Sequence, residues 1–215
     1  MYNVLIVDDE RNIQSAYIHD IKENLSGYEV LGTLSSAEDA FVFCDVKKVD
    51  LILMDINTKG DKNGIEATLK LKEKFPNTKI IITTSYIDIR MFALAESAGA
   101  ESFWLKDFSK ISLSEVIQRT MNGEHIYPEK IPDIQIGNAN LSEFTPTELR
   151  VLYLLLQYVS VKKIASHMNV QESTIKSHIL HMCQKVGCDN KAELAIWAVS
   201  AKVYIPNKNR YDENL

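Results

Sequence analysis

The chain has 215 residues, 46% hydrophobic and 25% charged, with a formal net charge of −5, which admits one large or two small ordinary globular domains and excludes a disordered or fibrous chain. No apolar run approaches the roughly 20 residues of a membrane-spanning helix, and the opening MYNVLIVDDE has no basic n-region and so does not read as a secretory signal. Three cysteines are too few and odd in number for a disulfide framework, so a reducing cytoplasm is expected.

Charge is spread unevenly. Residues 1–122 carry 14 Lys+Arg against 19 Asp+Glu, residues 123–143 carry 1 against 4, and residues 144–215 carry 9 against 6. The acidic first part is a poor candidate for nucleic acid, and the basic last part a possible one.

Five short apolar runs recur in the first part: Tyr2–Val7, Tyr28–Leu34, Val49–Met54, Lys79–Thr84 and Ser102–Leu105. Between and after them lie segments of helical length, over about 10–25, 36–47, 64–75, 87–99 and 109–122. Alternation at this spacing predicts a doubly wound parallel sheet of five strands with helices on both faces. The near-continuous apolar runs LIV, LILM and IIIT fit strands buried on both sides. The first strand is expected centrally, beside the third and fourth.

The strand ends are chemically distinctive. The first runs into Asp8-Asp9-Glu10, the third into Asp55, the fourth into Thr83-Thr84-Ser85 and the fifth into Lys106. Open α/β sheets place their sites at this C-terminal edge. Clustered carboxylates favour a hard divalent cation such as Mg²⁺ (or Mn²⁺), which takes one or two carboxylates plus water and phosphate oxygens. A carboxylate beside such a cation and an ammonium can act as a nucleophile toward a phosphoryl group.

With LIVDDE, LILMDI, IIITTS and FWLKD at these positions, residues 1–122 resemble the receiver domain of two-component response regulators, a flavodoxin-like fold. The resemblance implies Asp55 as phosphoacceptor, with Asp8 and Asp9 as the acidic pair (Asp9 the more direct metal ligand). It further implies the backbone carbonyl of Asn57 as a metal ligand, Thr84 as the switch hydroxyl, Phe103 as the switch aromatic and Lys106 as the phosphoryl-contacting lysine. Two departures stand out. The loop from Asp55 to Gly64 is one residue longer than the common form and lacks its proline, and Phe103 stands where tyrosine is common.

Residues 123–142 carry two prolines, two glycines and two asparagines with little periodicity, and read as a linker. From Thr145 the pattern is helical. Thr145-Pro146-Thr147-Glu148 reads as an N-cap, a first-turn proline and a capping-box acid. Ser160 opens a short second helix, and a third runs from about Glu172 to a C-cap at Gly187. Asn190 with Glu193 opens a fourth, expected to run to about Lys202. On the third helix Ile175, Ile179, Met182 and Val186 form one narrow stripe, while Ser173, Lys176, Ser177, Leu180 and Gln184 face the other way. A polar face behind a short helix–turn–helix suits a recognition helix in a major groove, with Ser173 and Thr174 near a phosphate at its N-terminus.

FTPTELRVL followed by SVKKIASHMNVQESTIKSHI resembles the LuxR-type (NarL, FixJ) helix–turn–helix domain over about residues 143–204. That resemblance implies Lys176 and Ser177 at bases or phosphates, and Leu180 where a polar or basic residue is common. Tyr158 replaces a glycine, and Lys163 replaces a capping-box Glu, which weakens the cap by about 0.5–1 kcal/mol. Residues 205–215 read as a flexible tail.

The whole reads as an α/β receiver followed by an all-α four-helix DNA-binding domain. The expected function is a response regulator that a partner histidine kinase phosphorylates on Asp55, and that dimerises on double-stranded DNA to control transcription. It is expected to act in the cytoplasm, with no membrane partner and no enzymatic turnover. Two alternatives are a phosphorylation-independent transcription factor with the receiver as an interaction module, and a Mg²⁺-dependent phosphohydrolase.

Overall fold

The computed structural model describes residues 1–60, 63–85, 89–106, 108–128, 134–158, 160–201 and 203. The expected flexible tail, and Lys202 at the expected end of the last helix, lie outside them. The chain divides into two compact units, Met1–Lys130 and Ile131–Leu215.

The first unit is a five-stranded parallel sheet of β1 (Tyr2–Val7), β2 (Tyr28–Leu34), β3 (Leu51–Asp55), β4 (Lys79–Thr84) and β5 (Ser102–Leu105), in the order β2-β1-β3-β4-β5. The expectation that the first strand lies beside both the third and the fourth is corrected here. β1 pairs with β2 and β3, while β4 pairs with β3 and β5, so β3 is the central strand. The chain winds outward from β1 to β2 and then crosses back to β3. The strand order therefore reverses between β1 and β3, where open sheets form their crevice.

Every residue of β3 is buried. Helices α1 (Arg11–Asn24) and α5 (Leu113–Met121) cover one face, where Val4, Ile6, Leu51, Leu53 and Ile81 pack with Tyr17, Ile21, Val116 and Ile117. Helices α2 (Ala37–Val46), α3 (Gly64–Lys74) and α4 (Ile89–Ser97) pack side by side apart from that pair, on the other face. The side-chain alternation of a strand sends Leu5, Val7, Ile52, Met54, Ile80 and Ile82 that way. Polar side chains fix the helix starts: Ser36 caps α2, Asn63 caps α3 and Ser112 caps α5.

The segment read as an irregular linker is partly ordered. Its first residues lie along β5: the Phe103 N–H donates to the Ile126 carbonyl at 2.7 Å, and the Ile126 N–H donates to Ser102 Oγ at 3.1 Å. Further on, β6 (Gln135–Ile136) and β7 (Ala139–Asn140) pair as a hairpin across Gly137-Asn138, followed by a single 3₁₀ turn over Leu141–Glu143. Two-residue strands show no periodicity, which is why they read as connector. The Gly-Asn pair was the available signal.

The second unit holds helices α6 (Pro146–Tyr158), α7 (Val161–Met168), α8 (Glu172–Val186) and α9 (Lys191–Ser200). At the start of α6 the Thr145 N–H donates to Glu148 Oε2 at 2.8 Å, and the Glu148 N–H donates to Thr145 Oγ1 at 3.2 Å. The Ser160 cap is long, with the Lys163 N–H at 3.5 Å, as expected without a reciprocal acid. Asn169 adopts a left-handed conformation (φ 53°) between α7 and α8, and Gly187 does so at the end of α8 (φ 83°). These two corners aim α8 and stop it. The core of this unit includes Leu152, Ile164, Ile175, Met182, Val186 and Leu194.

Candidate functional site

The β1 and β3 ends are neighbours in the sheet, while the end of β5 lies two strands from β3, so its lysine reaches past β4 to join them. Lys106, just past β5, donates from Nζ to Asp8 Oδ2 at 2.6 Å and to Asp55 Oδ1 at 3.0 Å. The other oxygen of each acid is held by the backbone that follows it. The Asn57 N–H donates to Asp55 Oδ2 and the Glu10 N–H to Asp8 Oδ1, both at 2.9 Å. Asp9 completes the cluster: one carboxylate oxygen each from Asp8, Asp9 and Asp55 lies within 4.8 Å of the others. Asp8 and Asp55 are buried, and Asp9 is half-buried.

Burial raises the Asp55 pKa from 3.8 to about 6; the Lys106 ammonium and the Asn57 N–H oppose the rise and the Asp8 carboxylate adds to it. Burial by itself would lower the Lys106 pKa, but the Asp55 and Asp8 carboxylates hold it above its ordinary value. Three carboxylates meet one ammonium, which leaves an excess of two negative charges on an all-oxygen donor set. That donor set fits a hard divalent cation, and a bound cation reverses the pressure on Asp55 to stay protonated.

The remaining residues of this edge are placed as follows. Thr84 ends β4, fully buried, and its carbonyl accepts from the Lys106 N–H at 2.9 Å. Asn57 lies in the loop after Asp55 with its N–H on that acid. Phe103 is buried in β5, edge-on to Phe92 of α4 at 4.7 Å between ring centroids and tilted against Tyr127 at 6.2 Å. Tyr127 is itself anchored by its hydroxyl, which donates to the Ala100 carbonyl at 2.9 Å.

Sequence reasoning passed over several contributors. Gln14 of α1 donates from Nε2 to the Asp8 carbonyl at 2.6 Å and to the Leu34 carbonyl at 3.2 Å, tying the ends of β1 and β2. Gly64 opens α3 where a Cβ would collide with the Asp55 carbonyl oxygen, so glycine lets the helix return against the end of β3. Thr58 in the loop after Asp55 accepts the Ala37 N–H on Oγ1 at 3.1 Å, and the Lys59 N–H reaches the Ser35 carbonyl at 2.9 Å. The loop is thus fastened to the start of α2 without a proline; its residues 61 and 62 lie outside those described. Only Gly64, the first residue of a helical pattern close after an acid, left a trace that could have been read.

In the second unit, α8 presents the two faces expected. Ile175, Ile179, Met182 and Val186 are buried, joined by Cys183. Ser173, Thr174, Lys176, Ser177, Leu180 and Gln184 are all exposed. Ser177 Oγ donates to the Ser173 carbonyl at 3.1 Å. His178 is half-buried and His181 exposed. The three cysteines are free thiols, all buried. No helix among the described residues is long and apolar enough to cross a membrane.

Comparison with known proteins agrees with this geometry. Residues 4–118 match the response regulator receiver domain, and residues 142–198 match the bacterial regulatory proteins of the luxR family. The response regulator protein VraR of Staphylococcus saprophyticus is 30% identical over 201 residues, covering 91% of this chain and 95% of that protein. VraR of Staphylococcus aureus is 30% identical over 200 residues, with the same coverage. Among solved structures, RcsB of Salmonella enterica serovar Typhimurium bound to promoter rprA in the presence of the phosphomimetic BeF3- superposes with a TM-score of 0.59 at 21% identity, covering 93% of this chain and 99% of that one. The chain therefore belongs to the two-component response regulators, with a receiver domain and a LuxR-family regulatory domain.

Proposed function

We propose that this chain is a transcription regulator whose binding to double-stranded DNA is controlled by phosphorylation of Asp55, with a sensor histidine kinase as the phosphodonor and the cytoplasm as its site of action. The observation that carries the reading is the Asp8–Lys106–Asp55 arrangement, with Asp9 beside it, on the same chain as an exposed polar helix face behind a helix–turn–helix.

An oxygen of the Asp55 carboxylate attacks the phosphorus of the donor, and the bond to the donor's leaving atom breaks as the acyl phosphate forms. Lys106 already touches Asp55 and neutralises charge on the incoming phosphoryl oxygens. Asp8, Asp9, Asp55 and the Asn57 carbonyl would hold a Mg²⁺ or Mn²⁺ ion, which offsets the remaining charge of the phosphoryl group. Thr84 serves as the hydroxyl that meets the bound phosphoryl group, and Phe103 repacks in response. The chemistry acts on the chain itself, so the protein is a switch and not a turnover enzyme.

In this reading residues 1–122 are the receiver, 123–142 the linker and 143–204 the DNA-binding domain. Ser173, Thr174, Lys176, Ser177, Leu180 and Gln184 meet the duplex, and phosphorylation favours a homodimer that spans two half-sites. A solved structure of two RcsB dimers bound to two parallel DNAs shares the fold, with a TM-score of 0.59.

The test is intact mass after incubation with Mg²⁺ and acetyl phosphate. A gain of about 80 Da, the mass of one phosphoryl group, is expected for the natural chain. The gain should vanish in Asp55→Asn and without the metal. No gain under conditions that leave the fold intact would overturn the phosphoacceptor assignment.

A further inference from the structure

The outward face of α8 is polar except at its centre. Relative to Ser173, the 100° step of a helix puts Gln184, Leu180, Ser177 and Lys176 on one strip, with Leu180 in the middle. Leu180 is 56% exposed and is the one large apolar side chain on α8 that stands in solvent. The buried stripe of Ile175, Ile179, Met182 and Val186 faces away from it, so Leu180 is not a core residue at the margin.

We infer that Leu180 is a specificity-determining residue that reads the 5-methyl group of a thymine in the major groove. This inference rests on the DNA-binding reading above. Of the four base pairs, only those with thymine present a methyl group in the major groove, and the other groups that distinguish the pairs there are hydrogen-bond donors or acceptors. A leucine can satisfy none of those, so against cytosine, guanine or adenine it strips water from a polar edge and returns nothing. Against thymine it buries methyl on methyl. Lys176, one turn before Leu180, and Gln184, one turn after it, bracket the contact with groups that can hydrogen-bond. The nine basic residues in 144–215 against six acidic ones supply attraction to the backbone. The strip thus combines hydrogen-bonding contacts at its ends with an apolar contact at its middle. Each half-site should contain an indispensable thymine opposite that middle.

The experiment uses the full chain with Mg²⁺ and beryllofluoride. Binding sites are selected from a random duplex pool, and each thymine of the selected site is then replaced by deoxyuridine, which removes only the methyl group. Affinities are measured for the natural chain and for Leu180→Ala, whose exposed position leaves the fold intact. The expected result is one thymine per half-site whose replacement weakens the natural chain about four-fold, the effect of one buried methyl-sized group. The same replacement should leave Leu180→Ala unchanged. If every deoxyuridine replacement is neutral for the natural chain, or if the loss persists in Leu180→Ala, the inference is overturned while DNA recognition stands. If the pool yields no preferred sequence, the recognition role of α8 fails and the inference with it.

Discussion

Asp55 sits where burial opposes the charge that the proposed phosphotransfer requires. Its pKa is raised from 3.8 to about 6, chiefly by burial. The raised value means that the fold prefers the neutral acid. The stability Asp55 contributes is complete below about 3.8 and is lost as pH rises through about 6 in the metal-free protein. Asp55→Asn, which stays neutral, should therefore melt above the natural chain in excess EDTA near neutral pH, by up to about 3 kcal/mol. The advantage should fade toward pH about 4 and reverse sign with saturating Mg²⁺; an advantage that grows on acidification would contradict it. Glu148 is the opposite case. Burial alone would raise its pKa, but the Lys185 ammonium at 2.7 Å and the Thr145 N–H at 2.8 Å hold it below the ordinary carboxylate range. Its stabilisation is present above the ordinary value and is lost as pH falls through the lowered one. Glu148→Gln should cost about 1–3 kcal/mol of stability near neutral pH, read from urea unfolding, with the deficit shrinking in acid.

At the scale of elements, the loop from Asp55 to Gly64 shows what the chain order conceals. The Gly64 N–H donates to the Ile56 carbonyl at 3.0 Å, and Asn63 Oδ1 accepts the Ile65 and Glu66 N–H groups, both at 2.9 Å. The first turn of α3 is thereby drawn against the acid-bearing end of β3. Gly64→Ala forces a methyl group into the Asp55 carbonyl; it should lower the melting temperature, costing at least about 2 kcal/mol, and slow the labelling of Asp55. Strands and helices of this unit were legible because buried parallel strands leave near-continuous apolar runs and because the acids and the lysine fall at their ends. What was not legible depends on contacts distant in sequence. Nothing near Ile126 announces that its backbone bonds to Phe103 and Ser102, and nothing near Gly137 announces the Trp197 ring and Val186 carbonyl against which any side chain there would clash. The order of β1, β3 and β4 was misjudged because apolar runs name strands without naming neighbours. Tyr127 couples the start of the linker to the Phe103 ring. Tyr127→Ala should speed hydrogen exchange of the Phe103 and Ile126 amides, and Tyr127→Phe, which loses only the 2.9 Å bond to Ala100, should do so less.

Across the whole molecule, two units of opposite charge balance share one chain: an excess of acid in 1–122 and an excess of base in 144–215. The acidic unit contributes little attraction for a polyanion, so DNA affinity rests on the basic unit and on how many copies of it act together. In the proposed reading, pairing two such units doubles the contacts, and a chemical change at Asp55 would in this way become a change in occupancy at DNA. A receiver with two conformations needs only a coupling of about 1–3 kcal/mol to do this. The most direct test is the affinity of the full chain for a selected operator, measured with the oligomeric state, with and without Mg²⁺ and beryllofluoride. A gain in affinity of at least about five-fold is expected together with a larger dimer fraction, both absent in Asp55→Asn. Equal affinity in both states, in a chain that demonstrably takes up the phosphoryl group on Asp55, would contradict it.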